Sequence, residues 1–282
     1  MNCTSLPCPP TCSTHGPITP VENDPWNLQR FVEAQGDDET YDALCQELST
    51  VKERHFIWYV LPQWQGFGFS PNSVRYAIRS LEEGEAYVSH PVLGFRYFQA
   101  TSELRGNKHK NLLDVMSEID VLKTQSSLTL FSFLGGIASL QCPELLKKYF
   151  KGRADAETVA RIAESVRQPF EAKSWTPDAF GQLALQSTFK GKKSLNLACF
   201  ITPEGDFHLD GHDHGESDYE WNVIVKKAYV PQLASLLGAS STDHLLDVIA
   251  RDWVPREGKG LERLIRLSGI KFKFTNYGMM EF

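Results

Sequence analysis

The segment DVLKTQSS, residues 120–127, sets Lys123 between an acid, Asp120, and two hydroxyls, Ser126 and Ser127. On a helix, positions three and four apart are neighbours, so these four residues share a face. A lysine deprived of water gives up its proton more readily and serves as base to an adjacent serine nucleophile. The catalytic expectation therefore falls on Lys123, Ser126 and Ser127. The competing reading is an Asp–Lys surface pair beside hydroxyls bonded back to their own helix.

HFIWYVLPQWQGFGFS, residues 55–70, runs six apolar side chains into a proline, a glutamine and a loop of glycines and aromatics. Trp58, Gln63 and Trp64 suit the wall of a pocket in which a planar ligand stacks while the amide reads its edge. Core and helix caps account for the same residues. In SVRYAI, Arg75 beside Tyr76 offers a guanidinium to a phosphate or carboxylate, or to a neighbouring acid. His90 precedes Pro91, which holds it extended at a helix junction and favours a cap over proton transfer. The ligand-binding candidates are His55, Trp58, Gln63, Arg75, Tyr76 and His90.

FHLDGHDHGESDYEW is the densest polar stretch, with His208, Asp210, His212, Asp213, His214, Glu216 and Asp218 close together. Imidazoles and carboxylates suit a borderline divalent ion, and a strand's period of two sets His208 and Asp210 on one face. The metal expectation is His208, Asp210, His212 and His214; Gly211 and Gly215 also fit a flexible hairpin loop. Cys3, Cys8, Cys12 and His15 lie in a Pro/Thr/Ser-rich stretch with no folding frame, read as a flexible tail over residues 1–21. Cys45, Cys142 and Cys199 stand in apolar company as buried thiols. No phosphate-binding glycine loop, dinucleotide fingerprint or zinc-protease helix is present, and the cofactor is unknown at this level.

Helical spacing carries these residues through the first half. Asn23 or Asp24 caps a helix with Pro25 at its first position, and Leu44 and Leu48 mark a second. Residues 70–104 read as two helices separated near His90 and Pro91, with Gly84 weakening the first, and 114–134 and 142–165 complete the set. Prolines and lost periodicity place a linker over 166–180. Beyond it, SLNLACFITPEGDFHLDGHD reads as two strands about a Pro-Glu-Gly-Asp turn. YEWNVIVKKAYV is a third strand, DHLLDVIARDW and LERLIRLSG are amphipathic helices, and IKFKFTNYG is a last strand.

NDPWNLQRFVEAQ, HFIWYVLPQ, GFGFSPNSVRYAI, EAYVSHPVLGFR and DVLKTQSSLTLF resemble, in order, the successive blocks of a bacterial and fungal family of small all-helical proteins of unknown function, sometimes mislabelled calpastatin. The resemblance covers about residues 22–160. Propensity alone makes HFIWYV a buried strand; the resemblance implies a buried helix ending at Pro62.

The expected class is α plus α+β: an all-helical domain over 22–165, then a small α+β domain over 181–282. With 41% hydrophobic and 23% charged residues, and no long apolar run, the chain reads as soluble and cytoplasmic. Its net charge of −6 argues against a nucleic-acid partner. Two functions fit: a site for a small nucleotide-like or ADP-ribose-like ligand in the helical domain, or a non-enzymatic protein-interaction scaffold with a helical and an α+β binding module.

Overall fold

The computed structural model describes residues 24–167, 182–190, 193–214 and 218–278. The expected tail over 1–21, with Cys3, Cys8, Cys12 and His15, lies outside these residues. So do Glu216 and the expected linker from residue 168 to 180.

Among the described residues, ten helices form the first part: α1 Gln29–Gln35, α2 Asp38–Ser49, α3 Ile57–Val60, α4 Pro71–Arg75, α5 Leu81–Ser89, α6 Leu93–Gly106, α7 Glu118–Leu134, α8 Gly136–Ser139, α9 Cys142–Phe150 and α10 Ala156–Ser165. The starts of α2, α4, α5, α7 and α10 are written in short polar side chains that accept the orphan amide protons of a first turn. Asp37 accepts from Thr40 N (2.9 Å), Ser80 from Glu83 N (3.1 Å), Ser117 from Asp120 N (3.3 Å) and Asp155 from Thr158 N (2.8 Å). Asp24 accepts from Leu28 and Gln29 N, both at 2.8 Å, so α1 starts four residues later than a helix with Pro25 at its first position. The stretch expected as two helices is three, because α4 ends at Arg75 and Ser80 caps a new start.

α7 is the axis of this part and packs against α3, α5, α8, α9, α10 and α13 (Leu261–Leu267). Its later half is buried nearly all round, as a helix without a solvent face must be. Phe131 stacks on Tyr97 with centroids 3.7 Å apart and meets the edge of Tyr87 at 5.4 Å. Gly84 lets α5 approach α7, since a Cβ there would stand 2.8 Å from the Leu134 methyls. Gly84→Ala gains about 1 kcal/mol of helix propensity but overpacks a core contact at about 1–3 kcal/mol. A lowered thermal midpoint is the expected net result; a raised one would mean that Leu134 yields freely.

The second part is a five-stranded antiparallel meander in the order β1-β2-β3-β4-β5, with β1 Leu183–Lys190, β2 Lys193–Ile201, β3 Phe207–His214, β4 Asp218–Val225 and β5 Lys273–Gly278. Between β4 and β5 run α11 Val230–Leu237, α12 Leu245–Trp253 and α13. One sheet face supplies Leu183, Leu185, Leu197, Cys199, Phe207, Leu209, Val223 and Val225 to the core. The buried apolar side chains of both parts form one continuous cluster. Arg256 also donates to Glu82 and Glu85 of α5, each at 3.1 Å, and Lys259 pairs with Glu85 at 3.1 Å. Among the described residues no helix is long and apolar enough to cross a membrane.

Candidate ligand site

The apolar run of residues 56–61 makes a single helical turn, α3, and Pro62 then turns the chain away. Past that proline the backbone is strand-like. Trp64 bridges Ile78 in parallel, with Ile78 N donating to Gln63 O and Gln65 N to Ile78 O, both at 2.9 Å. The helix implied for HFIWYVLPQ is thus one turn long, and Trp58 and Tyr59 on it are only partly buried. The reason is the clamp: pairing with residue 78 draws the chain out of helix as soon as Pro62 permits.

That clamp is held from behind by a buried charge. Arg30, on α1, donates to the backbone oxygens of Arg75 (2.8 Å), Ala77 (3.1 Å), Trp26 (2.7 Å) and Asn27 (2.8 Å), and to the Glu83 carboxylate. Glu83 in turn accepts from Arg79 N at 2.9 Å. A guanidinium has five donors, and this one divides them between the loop that carries Tyr76 and Ala77, the turn before α1 and Glu83 on α5.

A cavity of about 210 Å³ opens where this loop faces the first turn of α7. Trp58, Trp64 and Tyr76 are its aromatic walls, and Gln63, Lys123, Ser70 and Ser73 its polar ones. Phe67, Phe69 and Ile119 form the rim, with Phe69 97% and Ile119 65% exposed. Lys123 Nζ lies 4.4 Å from the Trp58 ring centroid and donates to Asp120 Oδ1 at 3.2 Å. The second Asp120 oxygen accepts from Lys52 Nζ at 2.7 Å, and the Lys52 side chain is only 3% exposed. Burial works against the Asp120 carboxylate, but the bonds and charges of Lys52 and Lys123 outweigh it and hold its pKa below the ordinary value. Gln63 donates its amide to Leu61 O.

Five of the residues singled out in the sequence, Trp58, Gln63, Trp64, Tyr76 and Lys123, therefore meet at one cavity. The others do not line it. Ser126 Oγ is 2.9 Å from Thr158 Oγ1 on α10, and Ser127 Oγ is 3.0 Å from the Tyr97 hydroxyl on α6, both deep in the core. Spacing placed them on the face of Lys123, but one turn further along α7 that face meets other helices, so no Lys–Ser pair is assembled. His55 is exposed, its ring 6.5 Å from Trp58. Arg75 is exposed and lies over Tyr76 at 5.5 Å. His90 Nδ1 accepts from Val92 and Leu93 N at 3.2 and 3.3 Å and so caps α6; burial lowers its pKa against the charge of Asp24. Arg30, Glu83, Phe67, Phe69 and Ile119 were not singled out. Two aromatics interleaved with glycines in QGFGFS are the one local signal for the rim.

In the second part, His208 stacks on Phe200 at 4.9 Å and His212 Nε2 is 3.1 Å from Glu220 Oε1. Among the described residues no three His, Cys, Asp or Glu side chains converge to hold a metal ion. His208, Asp210 and His212 thus form no such group: His208 stacks on Phe200 and His212 Nε2 meets Glu220 Oε1; the His214 side chain lies outside the described residues.

Over residues 25–162 the sequence matches the family described as protein of unknown function (DUF1810). The crystal structure of a conserved hypothetical protein from Mycobacterium tuberculosis is 39% identical to it, the alignment covering 50% of this chain and 99% of that one, with a TM-score of 0.46. The chain belongs to this family of unknown function through its helical part, and the C-terminal region lies beyond the family's span. A comparison with curated proteins finds no match.

Proposed function

We propose that the cavity beside α7 binds a small planar molecule that carries a negative charge, of the nucleotide-like or ADP-ribose-like class. The observation that carries this reading is the meeting of Trp58, Gln63, Tyr76 and Lys123 at one cavity. Aromatic walls suit a ring, an amide suits its hydrogen-bonding edge, and an ammonium suits a phosphate or carboxylate. The size narrows the class. At about 210 Å³ the cavity is smaller than the roughly 300–1,000 Å³ of sites that enclose a drug-sized ligand, so a ring enters and the remainder lies along the rim.

The exposed rim favours a second reading, in which the two parts are interaction modules and Phe69 and Ile119 meet a partner protein. A thermal-shift screen of the full chain against AMP, ADP-ribose, NAD and inorganic phosphate separates the two. A ligand at a hundredfold its Kd adds about 2.7 kcal/mol, a rise of roughly 5–10 °C for a chain of this size. The expected result is a rise with at least one nucleotide that is lost in Lys123→Gln, while the unliganded midpoint changes little. No rise with any of them would favour the interaction reading.

A further inference from the structure

The sheet has a second face, and its rungs can be read from the register. Ala198 pairs with Asp210 and Asp210 with Asn222, which pairs with Thr275; in the next rung Asn196 pairs with His212 and His212 with Glu220. Successive residues alternate faces, so these side chains all stand opposite the core-facing row. A rung on the other side carries Phe200, His208 and Ile224, which close that end with an apolar wall. Ala198, short between longer neighbours, leaves a hollow. A cleft of about 310 Å³ lies there, lined by Gln182, Asn196, Asp210, His212, Glu220 and Asn222.

Its polar groups are acceptor-rich. Asp210 Oδ1 is shielded from solvent and has no hydrogen-bond partner among the described residues, an arrangement that costs free energy in a folded protein unless something donates to it. Asn222 Oδ1 already accepts from the Thr275 hydroxyl. Among the described residues no lysine or arginine lines the cleft, and its basic group, His212, is held by Glu220. Asp210 and Glu220 sit diagonally across β3 and β4, at separations of roughly 7–8 Å between Cα atoms for such positions.

We propose that this cleft on the open face of the sheet is a second binding site, for a small molecule or side chain bearing a guanidinium, with Asp210 and Glu220 as its carboxylate partners. A planar fork of five donors can serve two carboxylates and a flanking amide oxygen together, which a single ammonium cannot span. Burial raises the pKa of Asp210 against the charge of His208, so a cation that donates to Oδ1 also relieves an isolated carboxylate.

The test is a titration of the ¹⁵N-labelled full chain with arginine methyl ester, followed by NMR, with citrulline methyl ester as the uncharged isostere. Saturable shifts of the Asn196 and Asn222 side-chain amides are expected with the arginine ester alone. Asp210→Asn and Glu220→Gln should each weaken binding by about tenfold or more. Glu220 is exposed, so its variant folds as the parent does, and Asp210→Asn keeps the shape of a half-buried side chain while its thermal midpoint holds or rises. Equal binding of the citrulline ester, no saturable shift, or an affinity unchanged in both variants would overturn the assignment.

Discussion

Arg30→Ala is expected to destabilise the protein by about 3–5 kcal/mol, because it leaves Glu83 buried without its counter-charge and the carbonyls of Trp26, Arg75 and Ala77 without their side-chain donor. For a chain of this size the thermal midpoint should fall by roughly 6–20 °C. Breaking one side of a buried pair is worse than removing both. Arg30→Met combined with Glu83→Leu should therefore recover part of the loss, although the carbonyls of Trp26, Arg75 and Ala77 lose their side-chain donor in either variant. The consequence reaches the cavity, since Arg30 fixes the backbone on both sides of Tyr76. Differential scanning calorimetry of the single and double variants checks this, and a single-variant loss below about 1 kcal/mol would mean that the loop is held elsewhere.

The second large effect belongs to Asp120. Asp120→Ala strands the Lys52 ammonium in a nearly closed environment and releases Lys123, for an expected loss of about 3–5 kcal/mol. The pH dependence has a definite sign. Asp120 has a folded pKa below its unfolded value of about 3.9, so its contribution is fully present above that value and is lost as pH falls through the folded one. Denaturant unfolding of the parent and Asp120→Asn should accordingly differ most above about pH 4 and converge in stronger acid. A difference that persists unchanged to the lowest accessible pH would show that the carboxylate's charge is not what holds the two lysines.

Much of this architecture was legible locally. The strands β2 and β3 about Gly205, which takes φ +92°, follow from alternation and turn chemistry in CFITPEGDFHL. The helices α2, α7, α12 and α13 follow from spacing. β1 escaped because its alternation breaks: Leu183 and Leu185 are buried, but a register shift between Ala184 and Gln186 puts the next residues out of step. α3 overturned the strand that propensity gives; the helix that the resemblance implies is there, but it is one turn long, because nothing local encodes a clamp between Trp64 and a residue fourteen positions on. Arg30 was invisible for the same reason. Its Glu83 partner is 53 residues away and nothing near either one announces the pair. Trp58, Gln63, Tyr76 and Lys123 were recognisable by type, yet only the tertiary fold separates them from Ser126, Ser127, Arg75, His55 and His90.

The most direct measurement is a ¹⁹F NMR titration of the full chain labelled with 5-fluorotryptophan, with Trp58→Phe and Trp64→Phe used to assign two of its six indole signals. If the cavity takes a planar anion, AMP or ADP-ribose will move the Trp58 and Trp64 signals saturably, leave the other four in place, and lose that effect in Lys123→Gln. Signals from Trp58 and Trp64 that stay fixed at millimolar nucleotide, or that move alike with and without Lys123, would contradict the proposed site.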